Sequence, residues 1–222
     1  MSDRIKVLEL FNEQGSVWKE RAADGIERYR KGDGKITVTD EDGKPVANAE
    51  ITLTQTSHEF RFGANLFMLD ELESEEKNEK YKKYFADVFN MATLPFYWDT
   101  LEPEEGHPRF DKNSKNVYRR PALDLIKEYC KENGIGMKGH CLMYNSFNPK
   151  WMPRDFRSLK MAVEKRSREI AERYGEDLVD LDVINEMYTV YRNAHGEYGM
   201  RDLPICDDKD HEKWCFDIAK KY

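Results

Sequence analysis

The 222-residue chain is 39% hydrophobic and 12% aromatic, enough to bury a substantial core, and its length fits one large domain or one and a half smaller ones. A formal net charge of -7 and a pI near 5.4 argue against nucleic acid or an anionic membrane surface as the main partner, because phosphate-binding chains concentrate Lys and Arg. A neutral or cationic ligand suits it better.

From the N-terminus, "MSDRIKVLELFNEQ" has no apolar run of signal-peptide length, and nothing later approaches the roughly 20 apolar residues of a spanning helix. The chain as given therefore reads as soluble and cytoplasmic, with export left open if the N-terminus is incomplete. Residues 1–34 carry the charged helical arm "SVWKERAADGIERYRKG". Over residues 35–56, two alternating runs flank the turn-rich "DEDGKP", which predicts a small antiparallel β layer. From residue 57 to 222 the rhythm becomes strand, helix, strand, helix. "FRFGANLF" precedes a helix with Tyr81, Tyr84, Phe85, Val88 and Phe89 at helical spacing, and "NMATLPFYW" follows. A helix with Ala122, Leu125, Ile126 and Tyr129 leads to "GMKGHCLMYN". Another, with Leu159, Val163, Ile170 and Tyr174, leads to "LVDLDVINE", and "HEKWCFDIAKKY" opens one more. The charged "DELESEEKNEKYKK" is expected to be a solvated helix face.

Repeated β-α units mean a parallel sheet, open or closed. No G-x-G-x-x-G or P-loop follows the first strand, which removes the usual nucleotide-binding reasons for an open sheet and favours a (β/α)8 TIM barrel. Cys130, Cys141, Cys206 and Cys215 form no C-x-x-C pair and have no His at zinc spacing, so they read as reduced packing residues, with neither a metal site nor a cofactor expected. Polar clusters end four strands in turn: Asn65, the "FYWD" segment, His140 with Asn145, and Asn185-Glu186. C-terminal strand ends form the active-site face of such a barrel, so the four converge. A partly desolvated Glu186 on that face would suit proton donation. The plainer readings are that Glu186 caps a helix or pairs with Arg192, that His140 is a satisfied core histidine, and that Trp98 and Trp151 only pack.

The order of the clusters carries more than any one of them. "LDVINE" resembles the W-D-V-V-N-E motif of glycoside hydrolase family 10, the retaining endo-β-1,4-xylanases. "KGHCLMYNSFNPKWM" is similar to that family's R-G-H-T-L-V-W-H-x-Q-x-P-x-W. "FNMATLPFYWDTLEPEEGHPRFD" looks like its second-strand motif, and "FRFGANLF" like its first-strand F-x-x-G-A. The resemblance implies that residues 57–222 are the N-terminal half of a TIM-barrel catalytic domain, about its first four β/α units, acting on a polysaccharide or oligosaccharide such as xylan. It makes Glu186 the general acid/base and Asn185 the amide beside it that binds the sugar. His140, Tyr144, Asn145, Tyr97 and Trp98 fall at substrate-binding positions, and Trp151 falls on a tryptophan read as loop support.

The departures carry expectations too. Tyr144, Asn145 and Phe147 stand where the family has Trp, His and Gln, and "LPFYW" replaces E-N-x-x-K-W. Losing that Asn and Lys points to a substituted β-1,4-glycan rather than plain linear xylan. The family's nucleophile, a Glu on a seventh strand, has no counterpart in the chain, which is therefore expected to be an N-terminal fragment that is inactive alone. Endo or exo action and oligomeric state stay open. Two rival readings are a carbohydrate-binding protein on a decayed hydrolase scaffold, and an unrelated α/β enzyme using Asp70, Glu102 or Asp182.

Overall fold

The computed structural model describes residues 8–9, 12–144, 146–186 and 210–222 and divides into two units, Met1–Thr56 and Ser57–Tyr222. In the first, helix α1 (Gly15–Tyr29) is solvated within its own unit and carries exposed pairs such as Arg28 with Asp24 and, just past its end, Lys31 with Glu27. The antiparallel layer expected over residues 35–56 does not form. A single bridge, Thr39 to Pro45, closes the turn, in which the Asp40 carboxylate accepts from the backbone N–H groups of Asp42 and Lys44. The bonds from Asp40 N–H to the Lys44 carbonyl and from Val46 N–H to the Val38 carbonyl flank the bridge, and a lone two-stranded ribbon with no apolar face to cover is marginal in water.

The second unit contains strands β1 (Gly63–Asn65), β2 (Met91–Pro95), β3 (Gly136–Met143) and β4 (Leu178–Ile184). Between and after them lie helices α2 (Glu75–Val88), α3 (Trp98–Leu101), α4 (Leu123–Glu132), α5 (Phe156–Tyr174) and α6 (His211–Lys221). The strands form one sheet in the order β1-β2-β3-β4, all parallel, as four successive units of the expected barrel require. Ser74 caps α2 by accepting from the Lys77 N–H, with Glu75 and Glu76 in the first turn. Asp155 caps α5 by accepting from Ser158. Both satisfy donors that a helix start leaves free.

The core follows helical spacing: Leu123, Ile126, Tyr129 and Cys130 of α4, and Leu159, Val163, Ile170 and Tyr174 of α5. On α2 the apolar stripe is narrower than expected, because Phe85 is buried while Tyr84 and Val88 face water. Cys130, Cys141 and Cys215 are buried free thiols, and burial pushes Cys130 and Cys141 up to about 12, so neither offers a thiolate at neutral pH. Cys206 lies outside the described residues. Among the described residues, no helix is long and apolar enough to cross a membrane.

The C-terminal end of α5 is tied to α4 by charge. The Asp124 carboxylate accepts from Arg173 Nε at 2.9 Å and from the Tyr174 hydroxyl at 2.9 Å, and Lys127 and Lys131 both reach Asp177 at 2.6 Å. Burial alone would raise the Asp124 carboxyl, but the bonds from Arg173 and Tyr174 outweigh it and hold it below its ordinary range. Lys127 and then Lys131 do the same for Asp177. A carboxyl depressed by folding contributes stability that is complete above its unfolded value, about 3.9, and is lost as pH falls through the folded value. In urea titrations, Asp124→Asn is therefore expected to lower the midpoint at about pH 6, with the gap from the unmodified protein closing towards about pH 2. A gap independent of pH would show that the carboxylate is not stabilised by its partners.

Candidate active site

The ladder sets the strand ends side by side. Asn65 pairs in register with Thr93, Pro95 with His140, His140 with Asp182 and Met143 with Ile184. The residues following β2, β3 and β4 thus meet at one end of the sheet. There the Tyr144 hydroxyl donates to Glu186 Oε2 at 2.7 Å, and the Asn185 N–H donates to the Met143 carbonyl at 2.9 Å, fastening the β4 end to the β3 end. Burial, with the bond to Glu186 adding to it, pushes the Tyr144 hydroxyl up to about 12. It stays protonated at neutral pH and remains a donor.

His140 Nδ1 lies 2.8 Å from Asp182 Oδ2, and Lys138 Nζ lies 2.9 Å from the other Asp182 oxygen. Burial would raise the Asp182 carboxyl, yet the bonds from His140 and Lys138 keep it below its ordinary range. A charged Asp182 assigns the hydrogen to Nδ1 in the neutral ring and leaves Nε2 as an acceptor for a ligand.

An aromatic bed continues from these groups. Tyr144 and Phe147 have ring centroids 5.7 Å apart, Phe147 and Tyr97 4.8 Å, and Tyr97 stands edge-on to His140 at 5.5 Å. Beneath it, Arg166 of α5 is 3% exposed and donates through Nη2 to the carbonyls of Phe96 and Cys141. Burial lowers its guanidinium to about 10, so it is still a cation at neutral pH.

The expected site residues fall into three groups. Glu186, Asn185, His140, Tyr144 and Tyr97 come together at the strand ends, while Asn145 lies outside the described residues. Trp98 takes a different place from Tyr97. It is 5% exposed, its indole N–H donates to Glu102 at 2.9 Å, and it packs edge-on against Trp151 at 5.6 Å, so its ring is spent on the core. Trp151 in turn donates to the Glu102 carbonyl at 2.9 Å. Glu186 also departs from expectation: it is exposed, with φ 50°.

The other carboxylates singled out belong to separate networks. Asp70 pairs with Lys82 at 2.7 Å. Glu102 is held by Trp98, the Gly106 N–H and Lys165. Asp182 serves His140. Among the described residues Glu186 pairs with no cation. A groove of about 810 Å³ between Glu102, Trp151 and α5 contains none of the strand-end residues. Phe67, Asp99, Phe147 and Arg120 border the site without having been singled out as site residues. Phe67, Asp99 and Phe147 lie inside strand-end motifs, whereas nothing local to "VYRRPAL" announces Arg120.

Comparison with known proteins gives a consistent picture. The family model described as "Glycosyl hydrolase family 10" matches residues 55–221. The chain is 29% identical over 180 residues to the anti-sigma-I factor RsgI6 of Acetivibrio thermocellus, covering 78% of this chain and 21% of that protein. It is 28% identical over 199 residues to endo-1,4-beta-xylanase 5 of Arabidopsis thaliana, covering 86% and 31%. Among solved structures, CbXyn10B in its native form superposes with a TM-score of 0.57 at 22% identity, over 73% of this chain and 46% of that one. Xylanase 10B from Thermotoga petrophila RKU-1 in complex with xylobiose does so with a TM-score of 0.53 at 21% identity, over 72% and 45%. These structural likenesses show the fold, and the chain spans less than a third of the two curated relatives.

Proposed function

The chain belongs to glycosyl hydrolase family 10, and from that premise we propose that the protein carrying it is a retaining glycosidase acting on xylan or a related β-1,4-linked cell-wall glycan. Glu186 is its general acid/base, and its nucleophile comes from the half of the barrel that the four strands here do not form. The observation that carries this reading is Glu186 itself: a carboxyl at the end of β4, next to Asn185, bonded to a neutral hydroxyl rather than to a cation, while Asp70 and Glu102 are committed to separate networks and Asp182 to His140.

In the first step the Glu186 carboxylic acid gives its proton to the leaving glycosidic oxygen as a second carboxylate bonds to the anomeric carbon. In the second step the Glu186 carboxylate takes a proton from the water that displaces that carboxylate. Tyr144 holds one oxygen of Glu186 and leaves the other for the substrate. His140, fixed by Asp182, and Asn185 hold sugar hydroxyls. The chemistry needs two carboxyl groups about 5 to 5.5 Å apart, and by itself this chain supplies one of the pair.

The test is to assay the protein carrying this chain, and the 222-residue chain alone, on soluble xylan and aryl xylobiosides, with proton NMR of the first anomer formed. The expected result is a β-anomer from the former and no turnover by the latter. An α-anomer first, or turnover by the chain alone at rates ordinary for enzymes, would overturn the assignment. The replacement of E-N-x-x-K-W by "LPFYW" favours a second reading, in which the unit binds a glycan without cleaving it. Calorimetric binding of xylo-oligosaccharides with no product from the whole protein would select that reading.

A further inference from the structure

Arg119 and Arg120 lie in the segment between α3 and α4. The Arg120 guanidinium carbon is 4.1 Å from the centroid of the Tyr97 ring, 5.2 Å from Phe67 and 5.8 Å from Phe147. Those rings belong to the bed that runs through Tyr144 to Glu186. The cation therefore stands on the same lining as the candidate acid/base, two aromatic rings away from Tyr144.

Its donors are only partly used. Nη1 donates to the Arg119 carbonyl at 2.8 Å, Nε is buried without a hydrogen-bond partner, and Nη2 has none among the described residues. A second guanidinium, that of Arg119, is adjacent, on a backbone with φ 60° that L side chains rarely adopt. Asp99 is the facing carboxyl. It too has a buried oxygen, Oδ1, with no hydrogen-bond partner, and burial raises its pKa against the pull of backbone donors and of Arg120. Two neighbouring like charges, one of them set among aromatic rings with its fork incompletely engaged, make a receptor for a planar anion. Aromatic faces also suit the apolar side of a sugar ring. A uronic acid presents both features in one unit.

We propose that Arg120, set among the rings of Phe67, Tyr97 and Phe147, recognises the carboxylate of a uronic-acid unit on the glycan and makes an acidic, substituted β-1,4-glycan the preferred substrate class. This rests on the reading that the Glu186 site acts on a β-1,4-glycan. It also supplies a replacement for the amide and ammonium lost with E-N-x-x-K-W: the recognised feature becomes the substituent's charge rather than the backbone sugar's hydroxyls.

The experiment compares kcat/KM of the protein carrying this chain on glucuronoxylan and on the same polymer after its uronic carboxyls have been reduced to primary alcohols. Reduction is expected to lower kcat/KM about ten- to hundredfold, the loss of a hydrogen bond to a charged group. Arg120→Gln is expected to bring the ratio of native to reduced polymer close to one. Equal efficiency on the two polymers with the unmodified protein overturns the proposal, and that comparison stands even if the variant does not fold. If no substrate is turned over, the hydrolase reading fails on its own. Equilibrium binding of the acidic and reduced oligosaccharides then decides the role of Arg120: tighter binding of the acidic form supports it, and equal binding sinks it.

Discussion

Glu186→Ala in the protein carrying this chain is expected to slow hydrolysis of xylan by about 10²- to 10⁴-fold, the usual contribution of a positioned general acid. The size of the effect depends on the leaving group. An alkoxide leaving from a polysaccharide needs the proton, whereas an activated phenol leaves without it, so the first step on aryl glycosides with good leaving groups stays fast. The second step still lacks the base that activates water. Activated substrates should therefore show a burst followed by slow turnover, and added azide, which needs no deprotonation, should restore the rate and divert product to the glycosyl azide. Xylan hydrolysis near the unmodified rate would remove Glu186 from the chemistry, and its bond to Tyr144 at 2.7 Å would then be a surface contact closing the β3-β4 end.

The largest stability effect is expected at Phe96. This ring is 0% exposed, packs against Tyr174 at 5.9 Å, and fills the space over β3 that exists because residue 139 is glycine. A Cβ on Gly139 would lie 2.5 Å from Phe96 Cε2. Phe96→Ala removes a whole ring from a site lined by strand backbone that cannot collapse inward, so the loss should reach about 3 to 5 kcal/mol, lowering the melting temperature of this unit by about 6 to 20 °C. Phe96→Leu should lose markedly less. Calorimetry showing under about 1 kcal/mol for Phe96→Ala would mean that the neighbouring chains repack into the gap.

The alternation of strands and helices was legible because each helix carries apolar residues three and four apart and each strand ends in a polar cluster, signals that depend on neighbours in the chain. The antiparallel layer was misread for a related reason. Alternation over residues 35–56 says which face would be buried, not that anything buries it. Tyr97 and Trp98 show another limit. They are adjacent in "FYWD" but stand where the strand gives way to α3, so the first joins the site while the second goes to the core and bonds Glu102. Arg120 left no trace in the sequence because its stacking on Tyr97 joins residues 23 positions apart through no periodic pattern. The enclosure expected around Glu186 depends on barrel closure, which no local motif encodes.

Arg166 links two layers of this unit. Its backbone belongs to α5, while its guanidinium holds the carbonyls of Phe96 and Cys141, the residues next in the chain to Tyr97 and His140. A sideways slip of α5 would strain both bonds, and a shift of the backbone at Phe96 or Cys141 would be felt by the helix through the same guanidinium. The helix is thus in mechanical register with the strand ends. Substitutions on α5 therefore have a route to the strand ends that does not pass through the residues lying there.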